Sequence, residues 1–264
     1  MHSNASDGIF SPRELIKIAA GAGLAAAGLT DHDTVDGLAE AEKAAKTYGI
    51  ELVPGVELSI HEENREVHII GYYPGYPDQL MDTLMKLRRQ RQERMEAMVD
   101  KLRKLGLKVT PEEVAREAGN DAPGRLHLAR VMLGKKYIAA IDEAFSLYLN
   151  RNRPGFVPRR SLSLKEAMSL LADVKAIPVL AHPGSEGKYV PGRLIPLGLK
   201  GIEVYHPDHG AAQIKYYRRL ALEKGLLITG GSDFHGDGLK GRDFPVHLAV
   251  SGCYLDCLKN MIRQ

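Results

Sequence analysis

The sequence is poor in cysteine, in net charge and in long apolar runs, and each shortage removes a class of protein. Among 264 residues only Cys253 and Cys257 are present, too few to staple a disulfide scaffold. Their spacing of one helical turn marks them as buried apolar thiols rather than a metal pair or a disulfide. No stretch approaches the ~18 consecutive apolar residues of a membrane span. Met1 leads into His2-Ser3-Asn4-Ala5 and not into a basic and then apolar leader. The expected location is cytoplasmic, with no membrane contact and no obligate protein partner. The 36 basic side chains face 33 acidic ones, leaving +3, which disfavours a general nucleic-acid coat. With 44% apolar residues the chain has enough material for a core and too little net charge to stay expanded. It contains neither an internal repeat nor a low-complexity segment.

What the chain does have is alternation. Short apolar runs exchange with amphipathic stretches, the pattern of strands followed by helices and hence of a parallel sheet or barrel. Ser11-Pro12-Arg13-Glu14 opens a helix with a capping box, and Gly21 and Gly23 stop it. A strand over Ala25 to Leu29 precedes a helix from about Val35 to Tyr48. The strand Ile50 to Val53 leads through Pro54-Gly55 into Val56-Glu57-Leu58-Ser59, and Val67 to Tyr73 is the next apolar run. From Leu80 to Leu105 the apolar positions fall three, four or eight apart, marking one long helix. A capping box at Thr110-Pro111-Glu112-Glu113 starts another, and helical segments continue to about Leu149. Ser163 to Glu166 caps a later helix, and Ile177 to Ala181, Gly201 to Tyr205, Leu226 to Thr229 and Val246 to Val250 read as strands. At this length one domain with an insert is expected: an α/β barrel over 1–79 and 156–264, with a helical insertion subdomain over 80–155.

Ten histidines carry more information than the charge, because many stand where apolar runs end, beside Asp or Gly. Strand ends in α/β proteins present side chains to ligands. There the chain offers Asp31-His32-Asp33, Glu57, His68, His182, His206-Pro207-Asp208-His209 and Asp233-Phe234-His235, and it opens with His2 and Asp7. Each alone has a bland explanation: a hydrogen-bonded histidine, or a turn at Asp7-Gly8. Six strand ends of one chemical kind point instead to a polynuclear site of imidazole and carboxylate. Nitrogen and oxygen donors without thiolate suit Mn, Fe or Zn.

The motifs His2-Ser3-Asn4-Ala5-Ser6-Asp7-Gly8, Thr30-Asp31-His32-Asp33-Thr34, Gly55-Val56-Glu57, Glu66-Val67-His68, Ala181-His182-Pro183 and Gly231-Ser232-Asp233-Phe234-His235-Gly236 together resemble the polymerase and histidinol phosphatase (PHP) domain family. The resemblance covers nearly the whole chain. It implies a distorted (β/α)7 barrel carrying two or three divalent metal ions at the C-terminal ends of its strands. By it, His2, Glu57 and Asp233 would hold one metal. Glu57 would bridge to a second, shared with His68 and His182, and Asp7, His32 and His235 would hold a third. The insert resembles that of stand-alone members hydrolysing phosphate esters of nucleotides, such as 3',5'-bisphosphates, or of short oligonucleotides. A histidinol-phosphate phosphatase and a metal-binding scaffold without catalysis are the competing readings. Family members begin with an apolar strand and a His-x-His pair, of which this chain has the second His, with Met1 in the middle position. The expectation is a mis-set start, with the upstream DNA continuing in frame through His and a short apolar segment.

Such a centre lowers the pKa of a bridging water and delivers hydroxide to phosphorus. Asp233 and His209 are the residues expected to act in catalysis. His209 or His206 would protonate the leaving oxygen or contact substrate, or else serve as structural histidines. Asp31 and Asp33 are expected to orient His32 or cap the next helix. Arg125 and His127, in Pro123-Gly124-Arg125-Leu126-His127, resemble an Arg-Pro-His motif with Leu in place of Pro. Arg125 is the first candidate for a phosphate clamp, followed by Arg153 and Arg159. Between Lys86 and Lys104 eight basic residues face three acids, a positive face that either steers a polyanion or is merely solvated. No aromatics interleave with those charges, so no stacking platform for long single strands is expected.

Overall fold

The computed structural model describes residues 1–62, 65–75, 78–119, 123–158, 161–184, 189–236 and 250–262. The chain divides into two compact units, Met1–Met81 with Ser161–Gln264, and Asp82–Arg160.

The first unit opens with a loop and then α1 (Pro12–Gly21), whose capping box is formed by Ser11 and Glu14, each satisfying a backbone amide of the other's turn. β1 (Ala26–Leu29), α2 (Leu38–Tyr48), β2 (Glu51–Glu62) and β3 (Arg65–Tyr72) follow. β2 runs unbroken through Pro54-Gly55, where the sequence suggests two runs. Pro54 pairs with Leu29 at the last position of the β1 ladder, and its carbonyl accepts from the Tyr73 amide. Gly55 is flat against its neighbours, since a Cβ there would stand 2.8 Å from Cγ2 of Thr30.

After α3 (Asp78–Lys104), α4 (Pro111–Ala118), α5 (Arg125–Gly134) and the short α6 (Ile141–Ala144), which runs on into a wider π-helical turn over Phe145–Leu149, the chain returns to the sheet. There it forms α7 (Leu164–Asp173), β4 (Ile177–Leu180), α8 (Tyr189–Leu194), β5 (Gly201–Tyr205), α9 (Ala211–Lys224), β6 (Leu227–Gly230) and α10 (Gly252–Ile262).

Six strands lie side by side in chain order. β1 is parallel to β2, and β4, β5 and β6 are parallel to one another, whereas β3 runs antiparallel to both its neighbours. A wholly parallel reading fails at β3 because two residues between Glu62 and Arg65 are too few for a crossover connection. The sheet is a curled half-barrel with helices around it, the α/β architecture expected. Residues 246–249 of the expected last strand lie outside the described residues.

α10 corrects the reading of the two cysteines: both thiols are free and exposed. Leu255, Leu258 and Met261 supply the face that packs on Val53, Ile70, Tyr72, Ile177 and Val179. A helix positions residues 253 and 257 off that stripe.

In the second unit Met95, Met98, Val99 and Leu102 of α3 bury against Val109, Val114, Leu128, Ala129, Met132 and Leu149. Removing each such side chain from water contributes about 1.5–3 kcal/mol. Arg94 and Lys101 turn outward to donate to the carbonyls of Val157 (2.8 Å) and Phe156 (2.7 Å), which ties the returning segment to the helix.

Candidate metal centre

The first unit brings His2, Asp7, His32, Glu57, His68, His182, Asp233 and His235 to one end of the sheet. Glu57 lies in β2, where alternation places it on the same face as Ser59, and Ser59 pairs with His68 of β3. His32 follows β1 and extends that ladder by one bridge to Glu57. His182 follows β4, and Asp233 and His235 follow β6. The opening loop is drawn in by backbone bonds from the His2 amide to Phe234 O (2.9 Å) and from the Ile9 amide to His235 O (2.9 Å). His182 and Asp233 adopt positive φ, +23° and +48°. Side chains other than glycine rarely take that conformation, and it concentrates at functional sites.

Glu57 is the hub. Its carboxylate is 2% exposed and is met by His2 Nε2 at 3.2 Å, His68 Nδ1 at 2.8 Å and His182 Nε2 at 3.1 Å. His2 Nε2 also lies 3.2 Å from Asp233 Oδ1. His32 and His235 both lie with ring centroids 4.3 Å from that of His2 and 5.9 Å from each other, and His235 Nε2 lies 3.2 Å from Asp7 Oδ1. Three sets have donor atoms close enough to share one ion: His2, Asp7, His32 and His235; His32, Glu57 and His68; and His2, Glu57 and Asp233.

Electrostatics agree with a cluster built for cations. Burial opposes the charged form of His2, but hydrogen bonds to Asp233 and Glu57 outweigh it and raise the imidazole to about 10. His68 is likewise raised to about 10, against burial, by Glu57 and Glu66, and His182 is raised by Glu57. Against the same burial, the surrounding histidines hold Asp7, Glu57 and Asp233 well below the ordinary carboxylate range. For His32 burial prevails and lowers it to about 3. The donor set fits divalent metals on a further observation: His2 Nδ1 is buried and makes no hydrogen bond among the described residues.

Two aspartates beside His32 hold the scaffold and cap no helix, since the residue before α2 is Gly37 and offers no side chain. Asp31 accepts from the Ser3 amide (2.6 Å), Ser3 Oγ (2.7 Å) and Ser6 Oγ (2.8 Å), fixing the loop that carries His2 and Asp7. Asp33 accepts from the Ser59 amide at 3.0 Å. Sequence reasoning passed over Glu203, a 3% exposed carboxylate raised to about 7 by burial. The signal was available, as it is the lone acid in the apolar run Gly201-Ile202-Glu203-Val204-Tyr205.

The remaining expected residues are placed as follows. His209 differs from its expected catalytic role: its Nδ1–H donates to Val204 O (2.9 Å) and its Nε2 accepts from the Gly184 amide (3.0 Å). With both nitrogens engaged the ring is a neutral strut, and burial lowers its pKa. His206 lies beside the cluster, its ring 5.2 Å from that of His182. Its Nδ1 accepts from the Asp208 amide (3.2 Å), and its buried Nε2 makes no hydrogen bond among the described residues. In the second unit His127 Nδ1 accepts from the Gly124 amide at 3.0 Å and caps α5, Arg125 stands 5.8 Å over the Phe145 ring, and Arg153 is exposed. Arg159 lies outside the described residues.

Metal-supporting carboxylates and imidazoles on the loops at one end of a curled sheet have counterparts among known proteins. The PHP domain profile matches residues 1–105. A 3',5'-nucleoside bisphosphate phosphatase of Chromobacterium violaceum is 34% identical over 92% of this chain and 88% of its own length. A 5'-3' exoribonuclease of Haemophilus influenzae is 32% identical over 99% of this chain and 94% of its own. Among solved structures, a chain of Bifidobacterium adolescentis classed as a metal-dependent phosphoesterase superposes with a TM-score of 0.81 at 27% identity, covering 90% of this chain and 86% of that one. Identity at this level across almost the full length carries more than shared architecture: the chain belongs to the PHP domain family and is a hydrolase of its stand-alone, metal-dependent phosphoesterase branch.

Proposed function

We propose that the protein hydrolyses phosphate esters of nucleotides, either 3',5'-bisphosphates or the ends of short oligonucleotides, at the Glu57-centred cluster. The observation that carries this reading is the buried Glu57 carboxylate met by three imidazoles within 3.2 Å, a convergence of oxygen and nitrogen donors that suits divalent metals. His2, Glu57 and Asp233 would hold one metal, Glu57 with His68 and His182 a second, and Asp7, His32 and His235 a third, with Mn, Fe or Zn as the fitting ions. Divalent metals bound there supply Lewis-acid charge and make water nucleophilic near neutral pH.

The protein's own groups do the rest. Asp233 lies 3.2 Å from His2 and 3.6 Å from His235, so its carboxylate couples the first and third groups. His206 carries its proton on Nε2, because Nδ1 accepts, and that unpaired N–H donates to a phosphate oxygen. His209 holds the Gly184 turn. The relatives' activities support nucleotide chemistry over histidinol phosphate.

The test is a substrate screen on protein stripped with chelator and reloaded with Mn, Fe or Zn. Nucleoside 3',5'-bisphosphates or 5'-phosphorylated oligonucleotides should be hydrolysed, with activity abolished by chelation and restored by metal. Preference for histidinol phosphate would overturn the substrate class, and metal binding without hydrolysis of any ester would overturn catalysis.

A further inference from the structure

Beneath the cluster lies a carboxylate that the chemistry above leaves unused. Glu203 sits in β5 between β4 and β6, paired across from Thr229, and is 3% exposed. Its Oε2 accepts from the backbone amide of His182 at 2.8 Å. That amide belongs to the residue whose φ of +23° turns the chain so that the imidazole Nε2 faces Glu57 Oε1 at 3.1 Å. On its other side Glu203 abuts the loop bearing Asp233. A Cβ at Gly231 would overlap Oε1 of Glu203, and Gly231 does not have a positive φ, so close approach and not backbone conformation is what the glycine provides. One carboxylate therefore touches the loops after β4 and after β6, each of which carries members of the cluster.

A buried carboxylate is costly to retain unless its partners repay it, and an apolar residue of similar size would serve packing alone. We infer that Glu203 is a positioning residue: by accepting from the His182 amide it holds the strained turn that aims His182 at Glu57, and through Gly231 it sets how closely the Asp233 loop approaches. This rests on His182 being a metal ligand, as proposed above. Outer groups that orient ligands commonly govern metal affinity by 10- to 100-fold.

The experiment measures Mn2+ binding to the stripped full-length protein by titration and elemental analysis, with kcat and KM alongside. Four variants are compared: Glu203→Leu, Glu203→Gln, Gly231→Ala and His182→Ala. Glu203→Leu keeps the bulk and loses the acceptor, so one Mn2+ equivalent should weaken by about 10- to 100-fold, the others holding. Glu203→Gln retains an oxygen for the His182 amide and should stay within about threefold of wild type, a rescue that mere packing does not explain. Gly231→Ala, whose methyl must displace the carboxylate, should weaken the same equivalent as Glu203→Leu, and it decides the matter if Glu203→Leu fails to melt cooperatively. Wild-type Mn2+ affinity in Glu203→Leu or in Gly231→Ala, with the equivalent lost in His182→Ala, overturns the clamp alone. Wild-type affinity in His182→Ala overturns the ligand assignment beneath it.

Discussion

The two units handle polar groups in opposite ways. Asp82–Arg160 carries 18 basic against 10 acidic side chains, a net +8, while the rest of the chain carries 18 against 23, a net −5. Yet the acids and imidazoles that are buried lie almost wholly in the first unit. Of the fifteen buried polar or charged residues among those described, fourteen belong to the first unit, and His127 is the exception. The second unit is apolar within and charged without, the arrangement that gains most from water exclusion. The first spends stability on buried carboxylates, imidazoles and strained turns that only ligands or internal hydrogen bonds repay. One unit is built to be stable and the other to do chemistry, and substitutions in the two should register on different readouts.

The largest effect is expected at Glu57. Glu57→Gln keeps the shape and removes the charge shared by His2, His68 and His182. It should cut kcat by on the order of 10³-fold or more with little change in KM, because it acts on transition-state charge. Elemental analysis should find at least one metal equivalent lost. A fall of less than tenfold in kcat would place the chemistry elsewhere.

Leu102→Ala is the counterpart in the second unit. Leu102 is fully buried in the core formed with Met98, Val109 and Leu128, so truncation should cost about 2–5 kcal/mol. Denaturant melts should show the loss while Mn2+ stoichiometry stays at the wild-type value. Metal loss in this variant would break the division of labour between the units.

A smaller effect is a crossing of stability curves with pH. In the metal-free protein His2 and His68 are raised from 6.5 to about 10 and His182 is raised as well. Their contribution is complete below the ordinary histidine pKa and is lost as pH climbs toward 10. The lowered carboxylates Asp7, Glu57 and Asp233 contribute above their ordinary pKa near 4 and lose that contribution as pH falls. His32, lowered to about 3, works the other way and costs stability as pH drops below 6.5, so from this cluster the metal-free chain should be most stable at roughly pH 6.5. Metals compete with the same protons, so the loaded chain should gain as pH rises. Calorimetric Tm values should therefore fall from pH 6.5 to 9 without metal while the increment from added Mn2+ grows. Parallel curves would show that the imidazoles do not exchange protons for metal.

What could be read in the sequence follows the same division. Capping boxes at Ser11, Thr110 and Ser163 are local and appear in the structure as expected. The long helix was legible from spacing alone, since its apolar stripe needs no partner to be seen. Residues such as His182 and Asp233 stood out because imidazoles and carboxylates at strand ends have few other uses. The antiparallel β3 was missed because register depends on the length of a link, not on the composition of the strand it joins. Cys253 and Cys257 were misplaced because composition says thiols bury, whereas the Leu255, Leu258 and Met261 stripe decides which way α10 faces. The role of His209 lies in bonds to a backbone amide and a carbonyl, which no side-chain pattern encodes; Glu203 is visible as the lone acid of its apolar run, but its bond to the His182 amide is not.

The smallest expected effect concerns the charge on the surface of the second unit. On α3, Arg89 is 83% and Arg103 61% exposed, and Lys104 is exposed too. Arg94 and Lys101 are bound to carbonyls and are left alone. The ion pairs of Arg89 with Glu93 and of Arg103 with Asp100 lie at the surface, where such pairs contribute little, so the combined variant Arg89→Gln, Arg103→Gln, Lys104→Gln should melt with the wild type. If the positive face draws in polyanions, kcat/KM on a short oligonucleotide at low salt should fall roughly 3- to 10-fold with kcat unchanged, since steering acts on encounter and not on the bound complex. The deficit should disappear near 0.5 M salt, where screening confines each charge to a few ångströms. A nucleoside bisphosphate, carrying fewer charges, should lose less. An oligonucleotide rate that ignores both the substitutions and the salt would mean that this face is only solvated, and that the positive charge of the second unit serves its solubility alone.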